Sequence, residues 1–340
     1  MDELSSVDTA PFYFGGRMDM GVYRKVRNKV VSIRENSKIY KPYYNHAAGI
    51  SSKQPPIFNE SGQPMELFFI RDMHTAHNPY GNVGKHFLWD RYNWGLDTHF
   101  YTHRAMLETM GKPLRKYGML GESRAIVPKN YLMFEKHKGL EREFDAIFTY
   151  DERLLDSLQN AKYYPICAEV WYGRSNPEII HCNAYAEKDK NISILCSDKQ
   201  MCELHKVRAE IARCCKRNRL ADVMGTLDGG EYVSIDDSLR NYRYSFAIEN
   251  ELSDYFFTER ITSCFAAQTI PIYLGASKID SYFNKDGIIE ISLKDIDNIE
   301  AVIKKCTKEE YDRRLPAILD NYKRVQSYFN MQDYLYEKLL

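Results

Sequence analysis

The 340-residue sequence lacks the features typical of membrane-spanning proteins and of nucleic-acid-binding proteins. No apolar run approaches the roughly 18 residues that a membrane-spanning helix needs, so we expect no transmembrane segment. The 47 lysines and arginines balance the 47 aspartates and glutamates, so the formal net charge is zero. A neutral chain gives no electrostatic reason to bind nucleic acid, and its most basic stretch, residues 206–219, lacks interleaved aromatic residues. We therefore expect no nucleic-acid partner.

The eight cysteines form no C-x-x-C pair and show no paired metal-ligand spacing. Because the chain shows no signal peptide, these cysteines indicate free thiols in a reducing compartment, and we expect a cytoplasmic protein. His74 and His77 are close together in a loop-like run, but no clear third ligand accompanies them, so no metal site is predicted.

The first 60 residues are predicted to form an N-terminal extension and linker. Their basic segment, residues 23–36, places Val26, Val30 and Ile33 at helical spacing. Two interpretations stay open for it: a solvated amphipathic helix, or peripheral contact with an anionic surface such as the inner face of a membrane.

What the sequence does contain is the composition of a folded protein, with 44% apolar residues and 26 tyrosines. At this length two domains are expected. A polar break around residues 187–190 predicts a first domain over residues 61–187 and a second over 188–320, and residues 321–340 are predicted to form a helix that returns to the first domain. A strand is predicted over residues 65–70, and another over 191–197 that leads into a helix over 199–218.

The most informative stretch is residues 242–275. Residues 244–248 and 269–274 are short, apolar and bounded by polar residues, which is typical of buried strands. Between them, Phe257, Ile261 and Phe265 recur at helical spacing, and Ser253, Asp254 and Thr258 are candidate N-caps. The stretch therefore predicts one β-α-β unit.

Charged residues surround the strand-to-helix turn of this unit. Ligands of open α/β sheets bind outside the carboxyl ends of the strands, and a helix N-terminus attracts phosphate. Arg260 would add a positive charge there, and Glu259 would accept hydrogen bonds from sugar hydroxyls. This pairing suits a nucleotide sugar, although a capped helix with a solvated Glu-Arg pair has the same sequence pattern.

The spacing of these residues resembles a known family signature. Ile248-Glu-Asn-Glu, six residues, Thr258-Glu-Arg and then Thr269-Ile-Pro-Ile-Tyr-Leu-Gly resemble the donor-binding signature of the α-1,3/4-fucosyltransferases, glycosyltransferase family 10. Five positions differ: Ile248 replaces the usual Phe, Glu251 replaces Ser, Phe256 and Phe257 replace Tyr and a β-branched residue, and Arg260 replaces Lys. Residues 116–155 and 190–225 resemble other parts of the family pattern more loosely. The chain is more similar to the soluble bacterial members of the family than to the membrane-anchored Golgi members.

The resemblance implies an α/β fold of the GT-B type, in which two Rossmann-like domains face each other. It also implies inverting transfer of L-fucose from GDP-fucose to a glycan or glycolipid acceptor, with no metal or other cofactor. The first domain would bind the acceptor and supply Glu122 as general base, and the second would bind the donor. The donor-binding residues implied are Arg208, Glu249, Asn250, Phe256, Thr258, Glu259 and Arg260.

The acceptor side is less defined. His74, Trp89 and Trp94 are candidates because they lie in loop-like or aromatic-rich runs, but the aromatic residues are equally consistent with packing. Two other functions stay open. One is a GT-B glycosyltransferase that uses another nucleotide sugar, and the other is a binding module for sugars or nucleotides that catalyses no reaction. The acceptor, the linkage and the oligomeric state do not follow from the sequence.

Overall fold

The computed structural model describes residues 57–72, 84–91 and 93–340. The basic segment at residues 23–36, most of the predicted linker, and His74 and His77 lie outside the described residues. Within the described ranges, no helix combines the length and the apolar character needed to cross a bilayer.

The first domain is built on a seven-stranded sheet. Its strands are β1 (Ile57–Phe58), β2 (Pro64–Arg71), β3 (Phe87–Asp90), β4 (Thr98–Thr102), β5 (Arg115–Leu120), β6 (Ala146–Thr149) and β7 (Ala161–Tyr163). The order is β1-β2-β4-β5-β6-β7, with β3 also paired to β2, and all pairs except β1 with β2 are parallel. Helices α1 (Pro128–Lys136) and α2 (Glu152–Ser157) follow β5 and β6. β4 and β6 are buried along their whole length, as expected of central parallel strands.

The second domain contains a five-stranded sheet that is parallel throughout. Its strands are β8 (Lys190–Leu195), β9 (Asp222–Met224), β10 (Tyr242–Ile248), β11 (Ile270–Leu274) and β12 (Ile289–Glu290), in the order β12-β11-β10-β8-β9. The helices that follow are α3 (Glu203–Asn218), α4 (Ile235–Leu239), α5 (Glu259–Ala266), α6 (Ile299–Ile303), α7 (Lys308–Arg313), α8 (Leu315–Arg324) and α9 (Met331–Leu339).

The predicted fold class is confirmed: two parallel-sheet α/β domains follow one another along the chain. The strands predicted at residues 65–70, 244–248 and 269–274 correspond to β2, β10 and β11, and Thr258 is the N-cap of α5 among the three candidates. The helix predicted from residue 199 begins only at Glu203, because the backbone of the preceding Cys202 is still extended. The residue bounds predicted for the domains stay a prediction.

One apolar core runs through both domains. It includes Phe68 and Phe100 from the first sheet and Ile261 and Phe265 from α5, all nearly inaccessible to solvent. A second core lies between the second sheet, α3 and the helices after β12, and a third covers the face of the first sheet beneath α1. The continuous core means that the two domains are packed together rather than joined only by a linker.

A C-terminal helix returns to the first domain, as predicted, but it is α9 (Met331–Leu339) rather than one helix over residues 321–340, because the backbone of Asn330 is extended and caps a new helix. Its Leu335 is 1% exposed within the shared core, and the Tyr164 hydroxyl donates a hydrogen bond to the carbonyl of Met331 at 2.7 Å. The Asp333 carboxylate accepts a hydrogen bond from the backbone N–H of Lys85 at 2.6 Å. These contacts attach α9 to the first domain at two places, directly after β7 and just before β3.

Candidate active site

The candidate site lies at the carboxyl edge of the second sheet, where β8 and β10 are neighbours. After β8 the chain moves to β9 on one side, whereas β10 and β11 lie on the other. The loops that follow β8 and β10 therefore diverge and leave a crevice, and ligands of open parallel sheets bind at such a switch point. Arg208 on α3, and Glu249 and Asn250 directly after β10, lie at this crevice.

Arg208 extends from α3 across the crevice to the end of β10. One terminal nitrogen of its guanidinium donates to the carbonyl of Ile248, and lies 3.3 Å from both the carbonyl of Glu249 and Oδ1 of Asn250. Its Nε is buried and has no hydrogen-bond partner among the described residues. Burial lowers the pKa of Arg208 to about 9, and repulsion by the charge of Arg260 adds to the effect. The crevice thus holds two cations close together, an arrangement that a bound anion would stabilise.

Asn250 is oriented by His205, one helical turn before Arg208. The backbone N–H of Met201 donates to Nδ1 of His205 at 3.2 Å, so the ring proton is on Nε2, which donates to Oδ1 of Asn250 at 2.9 Å. Burial, followed by the charge of Arg208, lowers the pKa of His205 and keeps it neutral. The amide NH₂ group of Asn250 makes no hydrogen bond to the described residues and is available to a ligand.

Glu249 supports the start of α5. Its carboxylate is fully buried and accepts hydrogen bonds from the backbone N–H of Thr258 at 3.0 Å and from the Thr258 hydroxyl at 2.7 Å. The same hydroxyl oxygen accepts from the backbone N–H of Arg260 at 3.3 Å and caps the helix. Burial raises the pKa of Glu249 to about 7; Arg260 opposes this rise and Glu259 adds to it. Both carboxylate oxygens are therefore used within the protein, in setting the helix start.

Glu259 and Arg260 occupy the first turn of α5 and are partly exposed. Neither the carboxylate of Glu259 nor the guanidinium of Arg260 has a hydrogen-bond partner among the described residues. A helix N-terminus carries positive partial charge, and Arg260 places a full positive charge beside it. This pair can offer charged donors to a phosphate and an acceptor to hydroxyl groups.

The first domain brings Glu122 to the same junction. Glu122 lies just beyond the carboxyl end of β5, and its Oε1 accepts a hydrogen bond from the backbone N–H of Ser123 at 2.8 Å. Burial raises the pKa of the nearby Cys167 thiol, and the charges of Glu122, Glu259 and Glu249 add to the rise. The charges of carboxylates from both domains thus act on the same thiol.

Phe256, the remaining predicted donor residue, packs elsewhere. Its ring is 1% exposed and lies 4.5 Å from the ring of Tyr150, centroid to centroid, within the first domain's apolar core. A phenyl ring has no hydroxyl that would favour contact with solvent or a sugar, and the apolar core covers it completely. The side chain of Phe256 therefore presents no surface to a ligand in this structure.

The described tryptophans of the acceptor side are packing residues. Trp89 lies edge to face against Phe87 and Phe100, at centroid distances of 4.7 and 5.0 Å. Trp94 is half-buried and packs against the first domain's own core. An additional contact of these residues with an acceptor stays a prediction.

All eight cysteines are free thiols, as the sequence indicated. In the described part of the chain, no group of three or more His, Cys, Asp or Glu side chains is placed to hold a metal ion.

Sequence reasoning missed two residues that organise the site. His205 orients Asn250, and its spacing of three from Arg208 on a helix could have indicated that the two share a face. The Cys167 thiol donates a hydrogen bond to the carbonyl of Gly121, directly before Glu122, at 2.8 Å, and no sequence signal connects these two residues, which are 46 positions apart.

The two parallel-sheet α/β domains define the architecture of a GT-B glycosyltransferase. Residues 185–332 match the family model described as "Glycosyltransferase family 10 (fucosyltransferase) C-term". The match covers 148 of the 340 residues and includes all five strands of the second sheet, β8 to β12. The resemblance seen in residues 248–275 is confirmed for the domain that carries them, and so is the enzyme class, a glycosyltransferase.

Solved structures with a similar fold include an α1,3-fucosyltransferase, which is 15% identical with a TM-score of 0.45 over 84% of this chain and 86% of its own. The same kind of enzyme with GDP-fucose is 14% identical, with a TM-score of 0.44 over 86% of this chain and 94% of its own. An α-glucosyltransferase in complex with UDP and DNA is 10% identical, with a TM-score of 0.47 over 81% of this chain and 91% of its own. A search of curated protein sequences finds no match.

Proposed function

We propose that this glycosyltransferase moves L-fucose from GDP-fucose to a hydroxyl group of a glycan or glycolipid acceptor, with inversion at the sugar carbon. The observation that carries the proposal is the pair of neighbouring arginines, Arg208 and Arg260, at the switch point of the domain that matches the family. With the N-terminus of α5 they form an anion site that suits a nucleoside diphosphate. Asn250 and Glu259 offer a donor and an acceptor to the hydroxyls of the ribose and the sugar.

In the proposed step, the acceptor oxygen attacks the anomeric carbon of fucose from the side opposite the diphosphate. The bond between that carbon and the β-phosphate oxygen breaks, and GDP leaves with the bonding electrons. The acceptor hydroxyl loses its proton to the carboxylate of Glu122, which acts as general base. Arg208 and Arg260 stabilise the negative charge that develops on the departing diphosphate.

Because two arginines and a helix N-terminus already supply positive charge at the diphosphate, we propose that transfer needs no metal ion. Transfer in the presence of EDTA should therefore equal transfer in the presence of added Mg²⁺ or Mn²⁺. A loss of activity on chelation, restored by one of these cations, would contradict this part of the proposal.

We also propose that the reaction takes place in the cytoplasm, on a precursor of a surface glycan such as lipopolysaccharide, with peripheral contact at the inner membrane face. Eight free thiols support a reducing compartment. Fractionation of cells that express the protein, with and without a high-salt wash, tests both the compartment and the membrane contact.

The first test is which nucleoside diphosphate the protein binds. GDP should raise the melting temperature of the purified protein more than UDP, CDP or dTDP at equal concentration, because binding to the native state stabilises it by mass action. A larger shift with another nucleotide would support a GT-B enzyme with a different donor. GDP binding without any release of GDP from GDP-fucose in the presence of glycan acceptors would support a module that binds but does not catalyse.

The roles within the site are tested by two variants. Glu122→Gln should keep its affinity for GDP but lose about 10²–10⁴-fold in the rate of transfer, which is the usual contribution of a general base. Arg208→Ala should weaken GDP binding. Near-normal transfer by Glu122→Gln would reject the base assignment, and the anomeric configuration of the product, read by NMR, would decide between inversion and retention.

A further inference from the structure

The segment between β10 and α5 contacts both domains. Within its own domain, the backbone N–H groups of Ser277 and Lys278 donate to the carbonyls of Ser253 and Asp254 at 2.9 and 3.0 Å. Phe256 inserts into the apolar core of the first domain next to Tyr150, and the backbone N–H of Asp254 donates a hydrogen bond to the carboxylate of Glu152. Residues 251–256, which we call the crossing segment, therefore run from the donor site into the first domain before they return to start α5.

Glu251 is the first residue of the crossing segment and makes two hydrogen bonds to the first domain. Its Oε2 accepts from the backbone N–H of Ala125 at 2.9 Å and from the hydroxyl of Tyr150 at 3.2 Å. Ala125 is three residues beyond Glu122. A side chain that begins directly after Asn250 in the donor site therefore binds the loop that carries the proposed base.

The first domain holds the same loop through its own residues. The backbone N–H of Arg124 donates to the Tyr150 hydroxyl oxygen at 2.6 Å, and the Arg124 guanidinium forms two hydrogen bonds, of 2.6 and 2.7 Å, with Asp151. The hydroxyl of Tyr131 donates to the carbonyl of Glu122 itself. Glu251, from the second domain, joins this hydrogen-bond network through Tyr150. The Tyr150 hydroxyl accepts from the N–H of Arg124 and donates to Glu251.

We propose that Glu251 is a positioning residue for glycosyl transfer, which fixes the Glu122 loop in register with the donor-binding domain. The effect of Glu251 on the rate of transfer rests on the proposed function, in which Glu122 is the general base. A general base must lie within hydrogen-bonding distance of the proton it removes, and a displacement of about 1 Å can cost on the order of 100-fold in rate. Serine, the residue usual in the family pattern at this position, would place its oxygen two atoms closer to the backbone than glutamate does.

The matched variants are Glu251→Ala, which removes the acceptor oxygen, and Glu251→Gln, which keeps an amide oxygen at the same position. Glu251→Ala should lower kcat for transfer by about 10- to 100-fold, with KM for the donor and affinity for GDP changed less than about threefold. Glu251→Gln should restore most of the lost rate, since a neutral oxygen also accepts both hydrogen bonds. Leu252→Ala, at the exposed neighbouring residue, should transfer like the wild type.

Amide hydrogen exchange provides a readout that does not depend on activity. The N–H of Ala125 should exchange faster in Glu251→Ala than in the wild type or in Glu251→Gln, while exchange along α5 stays unchanged. An effect on general stability alone would instead lower the melting temperature and GDP affinity together and raise exchange at both sites, which would overturn the proposal.

Unchanged transfer by Glu251→Ala, or unchanged protection of the Ala125 amide, would also overturn it. Failure of the proposed function has a different signature. In that case the wild-type protein releases no GDP from GDP-fucose with any acceptor, whereas the exchange experiment still decides whether Glu251 holds the loop.

Discussion

At the scale of single residues, burial of charged side chains decides which residues of the proposed donor site can contact a ligand. Glu249 was predicted as a contact of the donor, and the structure places its carboxylate in the interior, where both oxygens bind Thr258. Its influence on a ligand therefore passes through the capped start of α5. Arg208 is also buried, but its Nε has no hydrogen-bond partner among the described residues. Both side chains are buried, but Glu249 has a structural role, whereas Arg208 keeps a donor that can bind a ligand.

The raised pKa of Glu249 predicts how stability depends on pH. Burial raises this pKa from 4.5 to about 7, so the folded protein holds the proton more tightly than the unfolded chain. Between these values a rise in pH therefore destabilises the fold, by on the order of 3 kcal/mol in total, and the loss is complete above the folded pKa.

Glu249→Gln should lack this dependence. In melting experiments from pH 5 to pH 8, the wild type should lose stability relative to the variant, and Glu60→Gln, at an exposed carboxylate, should follow the wild type. A constant difference between the wild type and Glu249→Gln across this range would contradict the assignment.

At the scale of elements, the loops after β8 and β9 in the second sheet approach each other so closely that their backbones are in contact. Gly225, just after β9, has a φ of +95°, and a Cβ atom there would lie 2.3 Å from the carbonyl oxygen of Cys196 at the end of β8. Only glycine allows both this conformation and this approach. The two loops are held together beside the crevice that Arg208 crosses.

Gly225→Ala should destabilise the protein by about 2–5 kcal/mol, since left-handed strain and overpacking against backbone add together. Gly229→Ala is a matched control, because Gly229 also has a positive φ, of +79°, but no atom lies within 4 Å of the added Cβ. It should cost only about 1–2 kcal/mol. Urea denaturation measures both, and equal losses would show that the contact with Cys196 has no energetic weight.

At the scale of the whole molecule, one core and one returning helix make the two domains interdependent. Leu335 of α9 is 1% exposed in the core that also contains residues of both sheets and of α5. The end of the chain therefore stabilises the domain that precedes it by more than 100 residues.

Leu335→Ala should lower the free energy of unfolding by about 2–5 kcal/mol, the usual cost of a buried Leu→Ala change. Leu340→Ala, at an exposed residue at the end of the same helix, should stay within about 0.5 kcal/mol of the wild type. Tryptophan fluorescence follows unfolding of the first domain through Trp89 and Trp94, whereas the third tryptophan, Trp171, is already 45% exposed in the folded protein. A small effect of Leu335→Ala would mean that α9 does not contribute to this core.

Local periodicity and turn chemistry were enough to predict β10, α5, β11 and the Thr258 cap, because these depend on residues close together in the chain. The family was predicted from the resemblance of residues 248–275 to a known signature. The packing of Phe256 and the cross-domain contact of Glu251 could not be predicted. The Glu251 contact joins residues 126 positions apart, and it forms only because two domains pack in one orientation. The sequence thus determined which elements and charges surround the proposed nucleotide sugar site, and the tertiary structure decided which of those side chains are free to bind and which hold the protein together.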